Sequence, residues 1–401
     1  MSDESGSDHA TEAGGPASDL ALVLSGGGAR GAYQSGVLRR LAQRIPDLRF
    51  SIVTGVSAGA INASFIASHP GSLAEAMEEL CQLWGSLQVE DIFRVDTPSL
   101  ARHFTRWATR LASGGAAMAP AVRGLVDSRP LHETIQRASP TVDGELIGIE
   151  RNLEQGHFKA LALTALNYSN GQTVTWVQGR GFRPWHQPRH RSFHARITAD
   201  HVMASAALPM FFPAVRLGND WYGDGGIRLS TPLVPALRLG ASRILAISPH
   251  HEPSFEEADR PKTPGYPPPA QILGHLMDSI FLDVLDEDVR RLESLNTLLA
   301  KLPPEERGGL RDVAIRVLRP SRDLGRLAAS YEPRLPNSFR YLVRSLGTRD
   351  TQTSDFLSML MFQPDYAQRL IELGDEDAEA RAGEIRELAG AGTPVAPETS
   401  D

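Results

Sequence analysis

The run Gly55-Val56-Ser57-Ala58-Gly59 sets a serine between two glycines at the spacing G-x-S-x-G. A strand that turns sharply into a helix carries such a serine at its tip. The residues two before and two after it then crowd one another, which is why Gly55 and Gly59 lack side chains. The chemistry open to that hydroxyl is attack on an acyl carbon, once a base accepts its proton. A serine capping an ordinary strand–helix turn looks similar. Context favours the elbow: a short β run, Phe50–Thr54, precedes it and a small-residue helix, Ala58–Ser68, follows.

A second chemical signal is Ser25-Gly26-Gly27-Gly28-Ala29-Arg30-Gly31, which also follows an apolar strand and opens a helix. Consecutive glycines let backbone N–H groups converge on an anion, helped by the positive end of the helix. A P-loop would need a Lys-Ser/Thr pair that is absent here. Gly26, Gly28 and Gly31 match G-x-G-x-x-G literally, but that match says little in a run so rich in glycine. The other use is an oxyanion hole for acyl transfer. The elbow serine one strand–helix unit later favours this second use. The third signal, Asp224-Gly225-Gly226, follows Trp221-Tyr222-Gly223. By itself it reads as an ordinary turn, because Asp-Gly is a common turn dipeptide.

These residues need a scaffold, and the hydrophobic pattern supplies one. Short apolar runs at Leu20–Leu24, Phe50–Thr54, Ala160–Leu166, Thr173–Gln178 and Arg243–Ser248 read as strands. Asn170-Gly171 between two of them is a hairpin signal. Helical spacing recurs over Tyr33–Arg44, Ala58–Ser68, Ala199–Ala207 and Pro232–Leu239. The alternation predicts a layered α/β domain with a mostly parallel sheet. Thr97–Arg110 reads as a capped helix with Pro98 just inside its start. His250–Pro269 is proline-rich and reads as a loop. Beyond it the chain is mainly helical, with one strand at Asp312–Leu318. The expected organisation is a disordered tail over 1–18, a catalytic core over 19–250, a Pro-rich loop over 251–270, a mainly helical part packed on the core over 271–390, and a second disordered tail over 391–401.

The three motifs, in this order and without gaps, resemble the patatin-like phospholipase family from about Leu20 to about Ser248. The resemblance implies a three-layer α/β/α fold, related to cytosolic phospholipase A2, to which the mainly helical stretch beyond 270 adds C-terminal helices. It implies a serine lipid acyl hydrolase, a carboxylic ester hydrolase, acting on lipid esters without histidine, metal or other cofactor. Carried onto this chain, Ser57 is the nucleophile and Asp224 the base of a catalytic dyad. Gly26, Gly27, Gly28 and Arg30 form the oxyanion loop, and Gly55, Gly59, Gly225 and Gly226 support the motifs. Arg30 also has a structural reading, as an ion pair that holds the glycine loop.

The chain has 401 residues, a net charge of −7 and a single cysteine, so an intramolecular disulfide is excluded. Cys81 lies in an amphipathic run and reads as a core thiol. No overall basic balance points to nucleic acid. The acidic, polar start lacks the features of a signal peptide, and no apolar run reaches the ~18 residues of a spanning helix. A cytoplasmic enzyme is expected. Its membrane contact would run through 99–111, where Leu100, Phe104, Trp107 and Leu111 form an apolar stripe beside Arg102, His103, Arg106 and Arg110. The plainer reading of that helix is one packed on the core. Phe356–Phe362, with Met359 and Met361, reads as a buried core helix or as the wall of an acyl-chain groove.

Two other functions stay open at this level. An α/β-hydrolase with a Ser57, Asp224 and His250 or His251 triad meets the required chain order. A non-catalytic lipid-binding module would keep the fold without turnover. Oligomeric state leaves no mark in the sequence.

Overall fold

The computed structural model describes residues 19–94, 124–259, 265–281, 283–345, 347–348 and 354–390, with the isolated positions 105, 109 and 112. At its centre are strands buried along their whole length: β1 (Leu20–Leu24), β2 (Ile52–Val56) and β3 (Ala160–Asn167). Strands apolar on both faces require cover on both sides, which is the condition for a sheet sandwiched between helices. The sheet continues with β4 (Gln172–Gly179), β5 (His186–Gln187), β6 (His190–His194), β7 (Val215–Leu217), β8 (Asp220–Asp224), β9 (Arg243–Ile247) and β10 (Ala314–Leu318).

The strand order is β10-β9-β1-β2-β3-β4-β6-β5, with β8 joined to β3 and β7 joined to β8. From β10 to β3 every neighbour runs parallel. β4 then returns antiparallel through the Asn170-Gly171 turn, where Gly171 adopts φ 71°. That φ is why the turn takes glycine.

The helices around the sheet and the site include α1 (Gly31–Arg44), α2 (Ala58–Ser68), α3 (Leu73–Ser86), α4 (Arg129–Ala138), α5 (Ala199–Ala206), α6 (Pro269–Phe281), α7 (Asp283–Leu299), α8 (Asp355–Leu360) and α9 (Pro364–Ala389). Successive residues of β1 point to opposite faces, as the strand period demands. Leu20, Leu22 and Leu24 enter one layer with Tyr33 and Leu38 of α1 and Leu370 of α9. Ala21 and Val23 enter the other with Leu285, Val289 and Leu292 of α7. The architecture is a three-layer α/β/α fold. Helices α8 and α9 belong to the first layer, with Phe356, Leu357 and Leu370 in the same core as β1.

Several boundaries shift from those the sequence pattern predicts. β2 begins at Ile52 and runs as far as Val56, so the strand reaches the serine itself. The proline-rich stretch holds a short helix at Phe255–Ala258, capped by Ser254, before α6 begins at Pro269. β8 lacks a sequence signal, because Asp and Gly are depleted in strands; pairing with β3 imposes the extended form. The expected helix at Thr97–Arg110 and its membrane contact lie outside the described residues, except Thr105 and Thr109, which are helical. Among the described residues no helix is long and apolar enough to cross a membrane.

Candidate active site

Strand β3 is a template for two approaching segments. Val56 of β2 pairs with its Thr164, and Asp224 of β8 pairs with the next residue, Ala165. The chain leaving β2 and the chain ending β8 therefore meet at consecutive positions on one edge. Ser57 is the first residue after Val56, so its side chain emerges where Asp224 lies.

The turn at Ser57 has the geometry of an elbow. Its backbone sits at φ 56° and ψ −128°, a conformation that costs of order 1–3 kcal/mol for a non-glycine residue. A Cβ on Gly55 would stand 2.3 Å from the Gly59 carbonyl oxygen, and one on Gly59 would stand 2.2 Å from that of Leu24. Both approaches exclude any side chain. The strained Ser57 amide is held in place: it donates to Ser205 Oγ at 3.1 Å, and Ser205 Oγ donates to the Thr164 carbonyl at 2.6 Å. Ser57 stands at the N-cap of α2, yet its hydroxyl makes no capping hydrogen bond. A plain capping serine would use its oxygen there.

Asp224 is fully buried. Its Oδ1 accepts from the Gly226 amide at 2.9 Å, and its Oδ2 is buried as well. Gly225 packs on the Thr164 carbonyl. Burial raises the carboxyl from its ordinary value to about 7, with the Ser57 hydroxyl and the Gly226 amide pulling the other way. A carboxylate so desolvated holds a proton in the working range of a general base.

The glycine loop lies beside this pair. Gly28 adopts φ 58°, and a Cβ there would collide with the Met359 carbonyl oxygen at 2.2 Å. Among the described residues the amides of Gly26, Gly27 and Gly28 make no internal hydrogen bond, which leaves them available to an anion. Arg30 faces elsewhere. Its amide donates to the Gly27 carbonyl at 3.2 Å, and its guanidinium, 2% exposed, reaches Ser358 Oγ at 2.6 Å and Asp355 Oδ1 at 2.7 Å. Burial alone would lower the Arg30 pKa; Asp355 and Asp278 more than offset this and keep it charged. This is the ion-pair role, and no Arg30 donor lines the groove described next.

A groove opens at Gly28, Ser57 and Ala58 and runs on between Trp84, Ile135, Phe212, Met359 and Phe362. Its other polar side-chain atoms are engaged: Trp84 Nε1 donates to Asn62 Oδ1 at 2.8 Å and Thr134 Oγ1 to the Asp91 carbonyl at 3.1 Å. Trp84 is stacked on Phe362, with centroids 6.5 Å apart. Met359, Leu360 and Phe362 are buried and also line this groove.

Neither histidine of the triad alternative hydrogen-bonds Ser57 or Asp224. His250 Nε2 lies 3.7 Å from Asp283, and His251 contacts the Pro320 carbonyl and Glu257. Cys81 is buried, and burial pushes its thiol up to about 11. Among the described residues no group of three or more His, Cys, Asp or Glu is placed to hold a metal ion. Sequence reasoning did not single out Ser205, Thr164, Asp355 or Ser358. None lies in a motif, and each is hydrogen-bonded to a partner remote in the chain.

The patatin-like phospholipase family model matches residues 22–237, more than half of the chain. The chain belongs to the patatin-like phospholipase family. The glycine loop, Ser57 and Asp224 all lie within the matched span, whereas α8 lies beyond it. A cGAMP-activated phospholipase of Pseudomonas aeruginosa is 27% identical over 219 residues, 53% of this chain. The match covers 53% of that relative, so the chain spans about half the length of the curated relative it matches. Among solved structures, human GIVD cytosolic phospholipase A2 is 12% identical over 92% of this chain and 60% of its own, with a TM-score of 0.42. VipD from Legionella pneumophila is 14% identical over 92% of this chain and 67% of its own, with a TM-score of 0.37.

Proposed function

We propose that this patatin-like protein is a serine lipid acyl hydrolase that cleaves carboxylic esters with a Ser57–Asp224 dyad. The observation that carries the reading is the fully buried Asp224 carboxyl, raised to about 7 and in contact with a strained serine at the mouth of an apolar groove. In this mechanism the Asp224 carboxylate takes the Ser57 hydroxyl proton as Oγ attacks the ester carbonyl carbon. The oxyanion that forms is met by the free amides of the Gly26–Gly28 loop. Collapse expels the alcohol, which leaves with the proton held by Asp224. Water then attacks the acyl-enzyme as Asp224 accepts its proton, and collapse releases the fatty acid while Asp224 returns that proton to Ser57 Oγ. The apolar groove takes the acyl chain, since it offers little besides burial of hydrocarbon.

The groove and the family support a lipid ester as substrate, and a relative in Pseudomonas aeruginosa bears the name phospholipase. The test is labelling with a fluorophosphonate, alongside release of fatty acid from a phospholipid and from a soluble p-nitrophenyl ester. The expected outcome is phosphonylation of Ser57 and hydrolysis of both esters, each abolished in Ser57→Ala. A folded Ser57→Ala protein that keeps hydrolysis within about tenfold of wild type would remove Ser57 as nucleophile. Lipid binding by wild type without labelling or turnover would support the non-catalytic module instead.

A further inference from the structure

Beyond the matched family span, the short helix α8 stands directly behind the glycine loop. Four contacts join them. The Gly28 backbone packs on the Met359 carbonyl closely enough to exclude a side chain. Arg30 Nε donates to Ser358 Oγ at 2.6 Å, and Arg30 Nη2 donates to Asp355 Oδ1 at 2.7 Å and to the Asp355 carbonyl at 3.2 Å. Ser358 Oγ in turn donates to the Asp355 carbonyl at 2.8 Å, so the acceptors are themselves held. Arg30 is 2% exposed and Ser358 is completely buried, which makes this a desolvated, charge-assisted clamp. Breaking this pair from the Asp355 side leaves the buried Arg30 charge with only the more distant Asp278 carboxylate, 3.9 Å from Nη1.

The placement of the clamp matters more than its strength. Arg30 follows the three glycines by two residues, and its own amide closes a turn onto the Gly27 carbonyl. Glycines are free to move, so nothing within Gly26–Gly28 itself keeps their amides pointed at one spot. A donor contributes to an oxyanion hole only if it is already in place when the charge develops.

We propose that Asp355 and Ser358 are positioning residues for the reaction at Ser57. Through Arg30 they hold the glycine loop in the orientation that presents its amides to the oxyanion. The C-terminal part of the chain thereby completes the catalytic loop as well as one wall of the groove. The inference rests on the hydrolase reading above, in which the glycine loop binds the oxyanion.

The experiment compares Asp355→Asn, Asp355→Glu and Ser358→Ala with wild type and Ser57→Ala, in the full chain. Each is assayed on a soluble short-chain p-nitrophenyl ester and for the rate of phosphonylation by a fluorophosphonate, with Tm measured alongside. Loss of loop orientation should lower kcat in Asp355→Asn by about tenfold or more, with KM within about twofold. Phosphonylation should slow in parallel, because the phosphonyl oxygen uses the same amides. Asp355→Glu should recover most of the rate by restoring the charge, and Ser358→Ala should show a smaller loss of kcat. The inference falls if Asp355→Asn keeps kcat, if its defect lies in KM, or if the folded Asp355→Glu protein recovers nothing. Should Asp355→Asn fail to fold, Ser358→Ala decides alone: an unchanged kcat overturns the inference and a reduced kcat at constant KM supports it. Persistent hydrolysis by Ser57→Ala would instead sink the hydrolase reading itself.

Discussion

The Ser57 amide donates to Ser205 Oγ at 3.1 Å, tying the strained elbow to helix α5. The same hydroxyl donates to the Thr164 carbonyl at 2.6 Å. Thr164 is the residue paired with Val56, and its neighbour Ala165 is paired with Asp224. One serine outside every motif thus fastens the Ser57 backbone to the strand that also locates Asp224.

Ser205→Ala should therefore leave the buried Ser57 amide unpaired, at a cost of about 1–3 kcal/mol in stability. Turnover of a soluble ester should fall as well, because the elbow loses the bond that over-determines its geometry. Thermal unfolding and kcat together check this. An unchanged Tm and rate would show that the elbow holds its conformation without Ser205.

Asp224→Asn keeps the size of the side chain and removes the base, so kcat should fall by roughly two to four orders of magnitude. The stability change has the opposite sign from that of an ordinary turn aspartate. A carboxyl raised to about 7 binds its proton more tightly in the folded than in the unfolded chain. Its ionisation therefore weighs against the fold, fully above about pH 7 and not at all below the unfolded carboxylate value near 4. Asp224→Asn should raise Tm by a few degrees at pH 8, and the difference should shrink toward zero near pH 4. A variant that melts lower at pH 8 while keeping its rate would reduce Asp224 to a turn residue.

In the proposed mechanism the same carboxyl sets the pH dependence of turnover. Below its pKa it is neutral and cannot accept the Ser57 proton. On a soluble ester kcat/KM should rise with unit slope as pH increases and level off above about 7. A profile that stays flat down to pH 5 would separate the rate from Asp224.

The double change His250→Ala and His251→Ala should leave hydrolysis of a soluble ester within about tenfold of wild type, since neither ring reaches the dyad. A loss of several orders of magnitude with Tm unchanged would restore a triad.

What the sequence alone determined is local. The elbow glycines are readable because their crowding involves backbone only a few residues or one strand away, and no other residue fits that space. The buried strands announce themselves because a strand covered on both faces is apolar at successive positions, as Leu20–Leu24 is. The helix α2 after the elbow is legible in the same way, from its small residues. Three things were decided by tertiary structure. The register of β3 against β2 and β8 brings Ser57 to Asp224, and register depends on long-range pairing that has no local signature. The pKa of Asp224 comes from complete burial, which the Asp-Gly-Gly turn does not encode, since the same turn on a surface would leave the carboxyl in water. Arg30 shows the division most clearly. Its type and place after the glycines admitted both a donor facing the anion and a structural ion pair. Only the packing of α8, some three hundred residues later in the chain, turned its guanidinium to Asp355 and Ser358.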